Sequence, residues 1–288
     1  MRIVVLGAGG YLGSELCKEL SKDFDNFVIG IDKTPATYCN KIIQCDLTDS
    51  VECKKVLGDI EFDVMYQMAA DSGNKAYLDS AAYMYGTSTL INLNVLSAIN
   101  KDSKGLVVFP SSFYAGYPED AYGAEKYYNE LLYIRSKFNT IVFRLSPVYG
   151  YYNGVKTSEK VLNSFCKQIA RATDGYELRV KSDEYLRAFV YIDDAVKEII
   201  KLSKQENVKR RIELVSEYPI SLYQLALLIK VTSKKNVSII NETDPSMKFK
   251  VPNIKFMADY RVYTATPVKE GIKIVYDEYE KLSLSTRF

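Results

Sequence analysis

Ile3, Val4, Val5 and Leu6 form an unbroken apolar run, the pattern of a strand covered on both faces. From Tyr11 the spacing changes: Leu12, Leu16 and Leu20 recur four apart, which predicts a helix. A second apolar run, Phe27-Val28-Ile29-Gly30-Ile31, ends at Asp32, and "KIIQC" supplies a third just before "DLTD" at 46–49. "FDVMYQM", "GLVVFP" and "TIVFRL" continue the alternation of strand-like and helical stretches to about residue 150. Such alternation predicts an α/β fold, a doubly wound parallel sheet with helices on both faces. After "PVYGYYNG" the pattern loosens into a helix near 158–172 and an irregular stretch to Arg187. "AFVYIDDAVKEIIKL" then reads as a return to the sheet, with Asp193 as a helix cap. A helix at 221–230, the strand "NVSII" and a proline-broken tail complete the chain. The division expected is a sheet domain over 1–155 with a return segment at 188–216, and a smaller C-terminal substrate-binding lobe from 156–187 and 217–288.

Gly7, Gly10 and Gly13 sit between the first strand and the first helix. Glycines there allow a tight turn, close approach of a pyrophosphate to the backbone, and close packing of helix on strand. The helix N-terminus then offers unpaired N–H groups to the anion. Asp32 follows Gly13 by nineteen residues at the end of the second strand. A carboxylate at that point accepts hydrogen bonds from both ribose hydroxyls of an adenosine and repels a 2′-phosphate. Asp46 is suitably placed to hold the adenine edge. Strand, glycine turn, helix, strand and acid together predict a Rossmann unit for NAD, with NADP disfavoured.

Composition narrows the classes. A net charge of +2, with basic residues spread along the chain, gives no electrostatic case for nucleic acid. No apolar stretch approaches a membrane span, and no signal peptide precedes the first strand. Five cysteines without CxxC spacing predict reduced thiols in the cytoplasm, read as small core residues. The chain has no histidine, which removes that residue as base, metal ligand or pH switch, and no metal site is expected. The basic runs "KVTSKK" and "NVKRR" read as solvated loop charges.

The run "LVVFP" leads into Ser111-Ser112-Phe113, and ten residues past Ser112 comes "YGAEK". Tyr122 and Lys126 are four apart, hence one turn apart on one face of a helix. A free phenol, with a pKa near 10, is a poor base at neutral pH. A neighbouring ammonium stabilises the phenolate, so Tyr122 can take a proton from an alcohol as hydride leaves its carbon, or return it to a carbonyl. Ser111 or Ser112 can hydrogen-bond the same oxygen. With 24 tyrosines in the chain, the assignment of Tyr122 rests on order: fingerprint, strand-end serines, then YxxxK.

These residues resemble the extended short-chain dehydrogenase/reductases of the nucleotide-sugar epimerase/dehydratase family. The matching segments, in order, are GAGGYLG (7–13), Asp32, "DLTD", "QMAA" (67–70), Asn92, "SS" (111–112), "YGAEKYYNE" (122–130), "RLSPVYG" (144–150), "RAFVYIDD" (187–194), Asp259 and "PVKEG" (267–271). The resemblance implies cofactor contacts from Gly7, Gly10, Tyr11, Leu12, Gly13, Asp32, Asp46, Leu47, Met68, Ala69 and Ala70, joined by Tyr122 and Lys126. It implies Ser111 as the catalytic serine, with Ser112 next in line. Substrate contacts come from Ser111, Phe113 and Tyr149, and Arg187 would hold a diphosphate bidentately.

Departures from the family pattern are equally informative. Gln67 stands where histidine is common, and Pro147 where asparagine is common. Ser111-Ser112-Phe113 lacks the carboxylates of the Thr-Asp-Glu run of dehydratases and the glutamate of decarboxylases, so neither activity is expected. Phe113 and the absence of histidine also argue against the 3,5-epimerase/reductase chemistry of the fucose pathway. What remains is hydride transfer at C4 of a nucleotide-linked sugar. A 4-ketoreductase using NADH is favoured by the short chain and small lobe. A 4-epimerase with tightly held NAD shares every residue named, and a non-enzymatic NAD-binding member is the third reading. A homodimer is expected through helices near 80–100 and 121–138, the second carrying the stripe Tyr127, Leu131, Ile134 and Phe138.

Overall fold

The computed structural model describes residues 1–70, 81–116, 121–151, 160–182, 186–205, 211–243 and 260–285. They fall into two compact units: Met1–Leu145, Val196–Glu213 and Phe256–Val262 form one, and Ser146–Ala195, Leu214–Lys255 and Tyr263–Phe288 the other.

The first unit is built on the predicted sheet. Its early elements are β1 (Arg2–Leu6), α1 (Tyr11–Leu20), β2 (Phe27–Asp32), β3 (Lys41–Gln44), α2 (Ser50–Leu57), β4 (Val64–Gln67) and α3 (Ala81–Ala98). β5 (Leu106–Ser112), a 3₁₀ turn (Phe113–Gly116), α4 (Ala121–Arg135) and β6 (Asn139–Leu145) follow. β1 pairs in parallel with β2 on one side and β4 on the other, which is why its four apolar residues are fully buried. Parallel pairing continues outward to β3 and, on the other side, through β5 to β6. The sheet is completed by β10 (Arg211–Val215) and β12 (Tyr260–Tyr263), giving the order β12-β10-β6-β5-β4-β1-β2-β3. The strand order reverses between β1 and β4, so the fold is a Rossmann-type doubly wound α/β sheet with its switch point at the glycine turn. One core fills the space between the sheet and α2, α3 and α4, with Leu57, Ile91, Val95 and Tyr133 at its centre. There Phe109 and Tyr133 stack with centroids 4.5 Å apart.

The second unit holds β7 (Val148–Tyr149), α5 (Val161–Arg171), β8 (Tyr176–Ser182) and β9 (Val190–Tyr191). It also holds the first turn of α6 (Ile192–Ser203), then α7 (Leu222–Ser233), β11 (Val237–Thr243) and α8 (Val268–Ser285). β8 and β11 pair in parallel, and α5, α7 and α8 share a core around Leu162, Phe165, Ile169, Leu225, Ile229, Ile272 and Val275. Ser221 caps α7 through a complete capping box with Gln224.

Several expectations change. The stretch read as irregular contains β8, whose Tyr176, Leu178 and Val180 alternate with polar residues at the period of a strand. The tail is helical: Pro267 directly precedes α8, where proline's missing N–H costs nothing. The return to the first unit begins at Val196 and not at 188, because Val190 and Tyr191 pair with Val148 and Tyr149 inside the second unit. Asp193 lies within the first turn of α6 and not at its cap. Asp194, beside it, accepts hydrogen bonds from Thr266 N and Oγ1. α4 ends at Arg135; Phe138 is buried in the core, and Ile134 packs against that core while half-buried. Two supposed solvated charges are structural: Arg211 pairs with Glu130, and Lys235 donates to the carbonyls of Ala170 and Ala172 at the end of α5. Among the described residues no helix is long and apolar enough to cross a membrane. Asp259 lies outside the described residues.

Candidate active site

The glycine turn is shaped by its neighbours. Gly7 has φ +78°, a conformation that favours glycine, and a Cβ there would lie 2.6 Å from Ala69 N. A Cβ at Gly13 would collide with the Gly7 carbonyl oxygen. Gly7 N donates to Ile31 O at 2.8 Å, and Gly10 N to Gly7 O at 3.0 Å, fixing the turn across β1 and β2. Gly10 is the N-cap of α1 and makes no side-chain cap bond, while Gly10, Tyr11 and Leu12 lie at the surface or half-buried. The open part of the turn is therefore a helix N-terminus without a side-chain cap.

Asp32 stands at the end of β2 beside this turn. One carboxylate oxygen accepts from Gly9 N at 3.0 Å, and the other accepts from Thr34 N and Oγ1, both at 2.8 Å. A carboxylate has about four acceptor sites, so roughly one is left for an incoming hydroxyl. Asp46 accepts from Thr48 N and Oγ1, which holds its carboxyl below the usual range. Leu47 is a core residue, so its part in any nucleotide contact is confined to its backbone. After β4, Met68 N donates to Leu6 O, and Met68 and Ala69 are half-buried while Ala70 is exposed. Gln67, whose side chain the sequence left without a task, holds this corner. Its amide bonds Ala69 N and O and donates to Asn92 Oδ1 at 2.7 Å, which also accepts from the Tyr133 hydroxyl at 2.9 Å. Strand β4 and helices α3 and α4 are thus tied by one buried amide network.

The two serines at the end of β5 are both buried but differ in use. Ser112 Oγ accepts from Tyr114 N at 3.2 Å and so caps the 3₁₀ turn. Ser111 Oγ has no hydrogen-bond partner among the described residues. α4 packs on that turn and brings in Tyr122 and Lys126. The Tyr122 ring meets Tyr114 edge-on at 5.9 Å, and Lys126 Nζ lies 5.5 Å from the Tyr122 ring centroid. Phe113 packs edge-on against Tyr114 and brings neither acid nor base.

Beneath this face lies a layer of buried charge that the sequence reading missed. Lys126, 8% exposed, has Nζ 3.8 Å from Glu125 Oε1, which also accepts from Asn129 Nδ2 at 2.9 Å. Glu130, fully buried, forms a two-point pair with Arg144 at 2.8 Å through both oxygens, and Arg211 Nε lies 3.3 Å from it. Burial opposes the Arg144 charge, but Glu130 outweighs it and raises the guanidinium pKa. The signal was in "YGAEKYYNE" and "RLSPVYG": Glu125, Lys126, Asn129, Glu130 and Tyr133 recur at helical spacing, a polar stripe on the side that packs.

The remaining predicted residues belong to the second unit. Tyr149 is 1% exposed in that unit's core, against Phe189 and Tyr191, and its hydroxyl has no hydrogen-bond partner among the described residues. A Cβ at Gly271 would collide with the Tyr149 hydroxyl, which explains that glycine in α8. Arg187 is half-buried, its backbone bonded in both directions to Ile220. Among the described residues no group of three or more acidic or cysteine side chains could hold a metal ion.

Residues 3–214 match the model of the NAD dependent epimerase/dehydratase family. The chain belongs to this family. Family relatives include GDP-mannose 3,5-epimerase 1 of Oryza sativa subsp. indica, 25% identical over 262 residues, covering 80% of this chain and 68% of that protein. UDP-glucuronic acid decarboxylase 1 of Xenopus tropicalis is 24% identical over 317 residues, covering 97% and 72%. Among solved structures, the UDP-glucose 4-epimerase of Thermotoga maritima superposes with a TM-score of 0.79 at 17% identity, covering 99% of this chain and 100% of that one. That likeness is one of fold.

Proposed function

We propose that this family member is an NAD-dependent oxidoreductase that moves hydride at C4 of a nucleotide-linked sugar, acting as a 4-keto-sugar reductase. The observation that carries the reading is the buried Ser111 Oγ at the end of β5, without a partner among the described residues, with Tyr122 and Lys126 on the helix that packs against the next turn. A buried hydroxyl without a partner is costly unless a ligand completes it.

The turn fits a dinucleotide: its glycines leave no side chain over the α1 N-terminus, and Asp32 keeps about one free acceptor site for a ribose hydroxyl. NAD, when bound, supplies the hydride acceptor, and in reduced form the donor, for the sugar carbon. Tyr122 moves the proton at the sugar oxygen, giving it to a carbonyl in reduction. Lys126 holds its positive charge against the Tyr122 ring, 5.5 Å from its centroid. Ser111 donates to the same oxygen and orients it. Arg187 is the candidate for the diphosphate. Ser111-Ser112-Phe113 offers no carboxylate, which speaks against dehydration and decarboxylation, and Phe113 offers no group to exchange protons at C3 or C5, despite the 3,5-epimerase relative.

A second reading, a 4-epimerase, is favoured by the 4-epimerase named above, whose fold covers almost the whole chain. One assay separates the two. Nucleotide-linked sugars with a 4-keto or a 4-hydroxyl group are offered with NADH, NAD and their phosphorylated forms. The reductase consumes NADH stoichiometrically with a 4-keto sugar. The epimerase interconverts 4-hydroxy sugars with no net change in NADH and carries NAD through purification. Turnover of neither class, by protein that binds NAD, would overturn both.

A further inference from the structure

Gln67 is the last residue of β4, only 1% exposed, and its side chain reaches the backbone two residues on. Its Oε1 accepts from Ala69 N and its Nε2 donates to Ala69 O, both at 3.0 Å. One side chain thus grips both backbone polar groups of Ala69. The same Nε2 donates to Asn92 Oδ1 at 2.7 Å, and Asn92 Nδ2 donates to Ser88 O at 2.9 Å, one turn back along α3. The Tyr133 hydroxyl of α4 gives Asn92 Oδ1 a second hydrogen bond at 2.9 Å. Each polar atom of the two amide side chains therefore has a partner, and a satisfied buried network of this kind specifies one geometry.

The segment held in this way is the wall of the glycine turn. A Cβ at Gly7 would lie 2.6 Å from Ala69 N, 2.7 Å from Ala69 Cα and 2.8 Å from Met68 C. All three are backbone atoms of the segment that Gln67 clamps. Met68 N donates to Leu6 O at 2.9 Å, which fixes the same segment to β1. Gly7 O in turn accepts from Gly10 N, the N-cap of α1, so the position of Ala69 bears on the open end of the turn through a single glycine.

We propose that Gln67 is a positioning residue for the dinucleotide: by clamping Ala69 against Gly7 it sets the spacing between the Met68–Ala70 corner and the glycine turn. This role rests on NAD being the cofactor. Gln67 is buried and acts only through the Ala69 backbone. A purely structural part, joining β4 to α3 and α4, would use the bond to Asn92 and not the clamp. The two Asn92 Oδ1 bonds allow the parts to be separated. Gln67→Met keeps the length of the side chain but removes the clamp together with one Asn92 bond. Tyr133→Phe removes the other Asn92 bond and leaves Ala69 held.

The test measures NAD affinity by isothermal titration calorimetry, and urea unfolding without NAD, on the full chain and its variants. Both substitutions are expected to lower the unfolding midpoint. Gln67→Met should weaken NAD binding about tenfold, the scale of one net hydrogen bond, while Tyr133→Phe should keep the affinity of the unsubstituted protein. Gln67→Glu retains the acceptor for Ala69 N and loses both donated bonds. It should fall between the two, and it carries the test if Gln67→Met does not fold. Unchanged NAD affinity in a folded Gln67 variant would overturn the positioning role alone, as would an equal loss in Tyr133→Phe. An unsubstituted chain that does not bind NAD would overturn the cofactor reading and this role with it.

Discussion

Adjacent serines at the end of β5 perform different tasks because one hydroxyl is already used. Ser112 closes the 3₁₀ turn through Tyr114 N, while Ser111 Oγ waits for a partner. Ser111→Ala is therefore expected to lower turnover by about 10²-fold, the scale of a lost oxyanion-type donor, with little change in unfolding midpoint. Ser112→Ala should instead cost about 1 kcal/mol of stability, the scale of a lost local cap. Steady-state kinetics and urea unfolding of the two variants separate these effects, and an exchange of the two outcomes would transfer the catalytic role to Ser112. Tyr122→Phe should reduce turnover by about 10²-fold or more while NAD affinity, read by fluorescence titration, stays close to that of the unsubstituted protein. Full activity in that variant would direct attention to Tyr127 or Tyr128. Asp32 already accepts three hydrogen bonds from its own turn. Asp32→Ala is accordingly expected to weaken NAD binding and to narrow the gap between NAD and NADP, and a preference of the unsubstituted protein for NADP would refute the assignment.

At the level of single elements, α4 shows how a helix can present chemistry on one side and anchor itself on another. Tyr122 and Lys126 lie at its start, and Glu130 and Tyr133 lie one and two turns further on, paired with Arg144 of β6 and with Asn92 of α3. Removing one member of a buried charge pair typically costs about 3–5 kcal/mol, because the other charge is left unpaired. α5 carries a different electrostatic burden. Lys160 is its N-cap, where a cation opposes the helix dipole, and burial pushes its ammonium down to about 8 from 10.5. The folded state thus disfavours the charged form. The penalty is fully present below pH 8 and is relieved as the pH rises towards 10.5, the window in which the unfolded chain binds more protons. Lys160→Gln should stabilise the protein at pH 7 by an amount of order 2 kcal/mol, and that gain should vanish near pH 10.5. Denaturant unfolding at the two pH values checks this, and an equal gain at both would rule out the titration as its source.

For the molecule as a whole, α3 and α4 expose apolar side chains. Leu90 and Leu93 on α3 and Tyr128 on α4 are exposed, and Tyr127 and Leu131 are half-buried. The proposed homodimer pairs these two helices with their copies in a four-helix bundle, with Leu90, Leu93, Tyr127, Tyr128 and Leu131 at the contact and Phe138 withdrawn to the core. Light scattering across a concentration series should give a dimer at micromolar protein, and Leu93→Lys combined with Tyr128→Glu should give a folded monomer. A monomer without any substitution would remove the interface.

The first half of this chain was legible because its signals are local or nearly so. A strand buried on both faces must be apolar throughout, a pyrophosphate turn must be glycine, and YxxxK shares a helix face whatever surrounds it. Those constraints carried the parallel sheet, the family and the glycine turn. β8 was also written locally, in the alternation of Tyr176, Leu178 and Val180, and α8 in the helical run after Pro267, although neither was read there. Other features depended on contacts between residues far apart in the chain. Tyr149 became a core residue because Gly271 leaves room for its hydroxyl, and the buried Arg144 and half-buried Arg211 became partners of Glu130. Ser111 and Ser112 are the same residue type side by side, and only the position of Tyr114 N separates them. Residue type and periodicity determine which groups are to be buried and on which face. Which buried group finds a partner is decided by the tertiary structure, because that partner comes from another element.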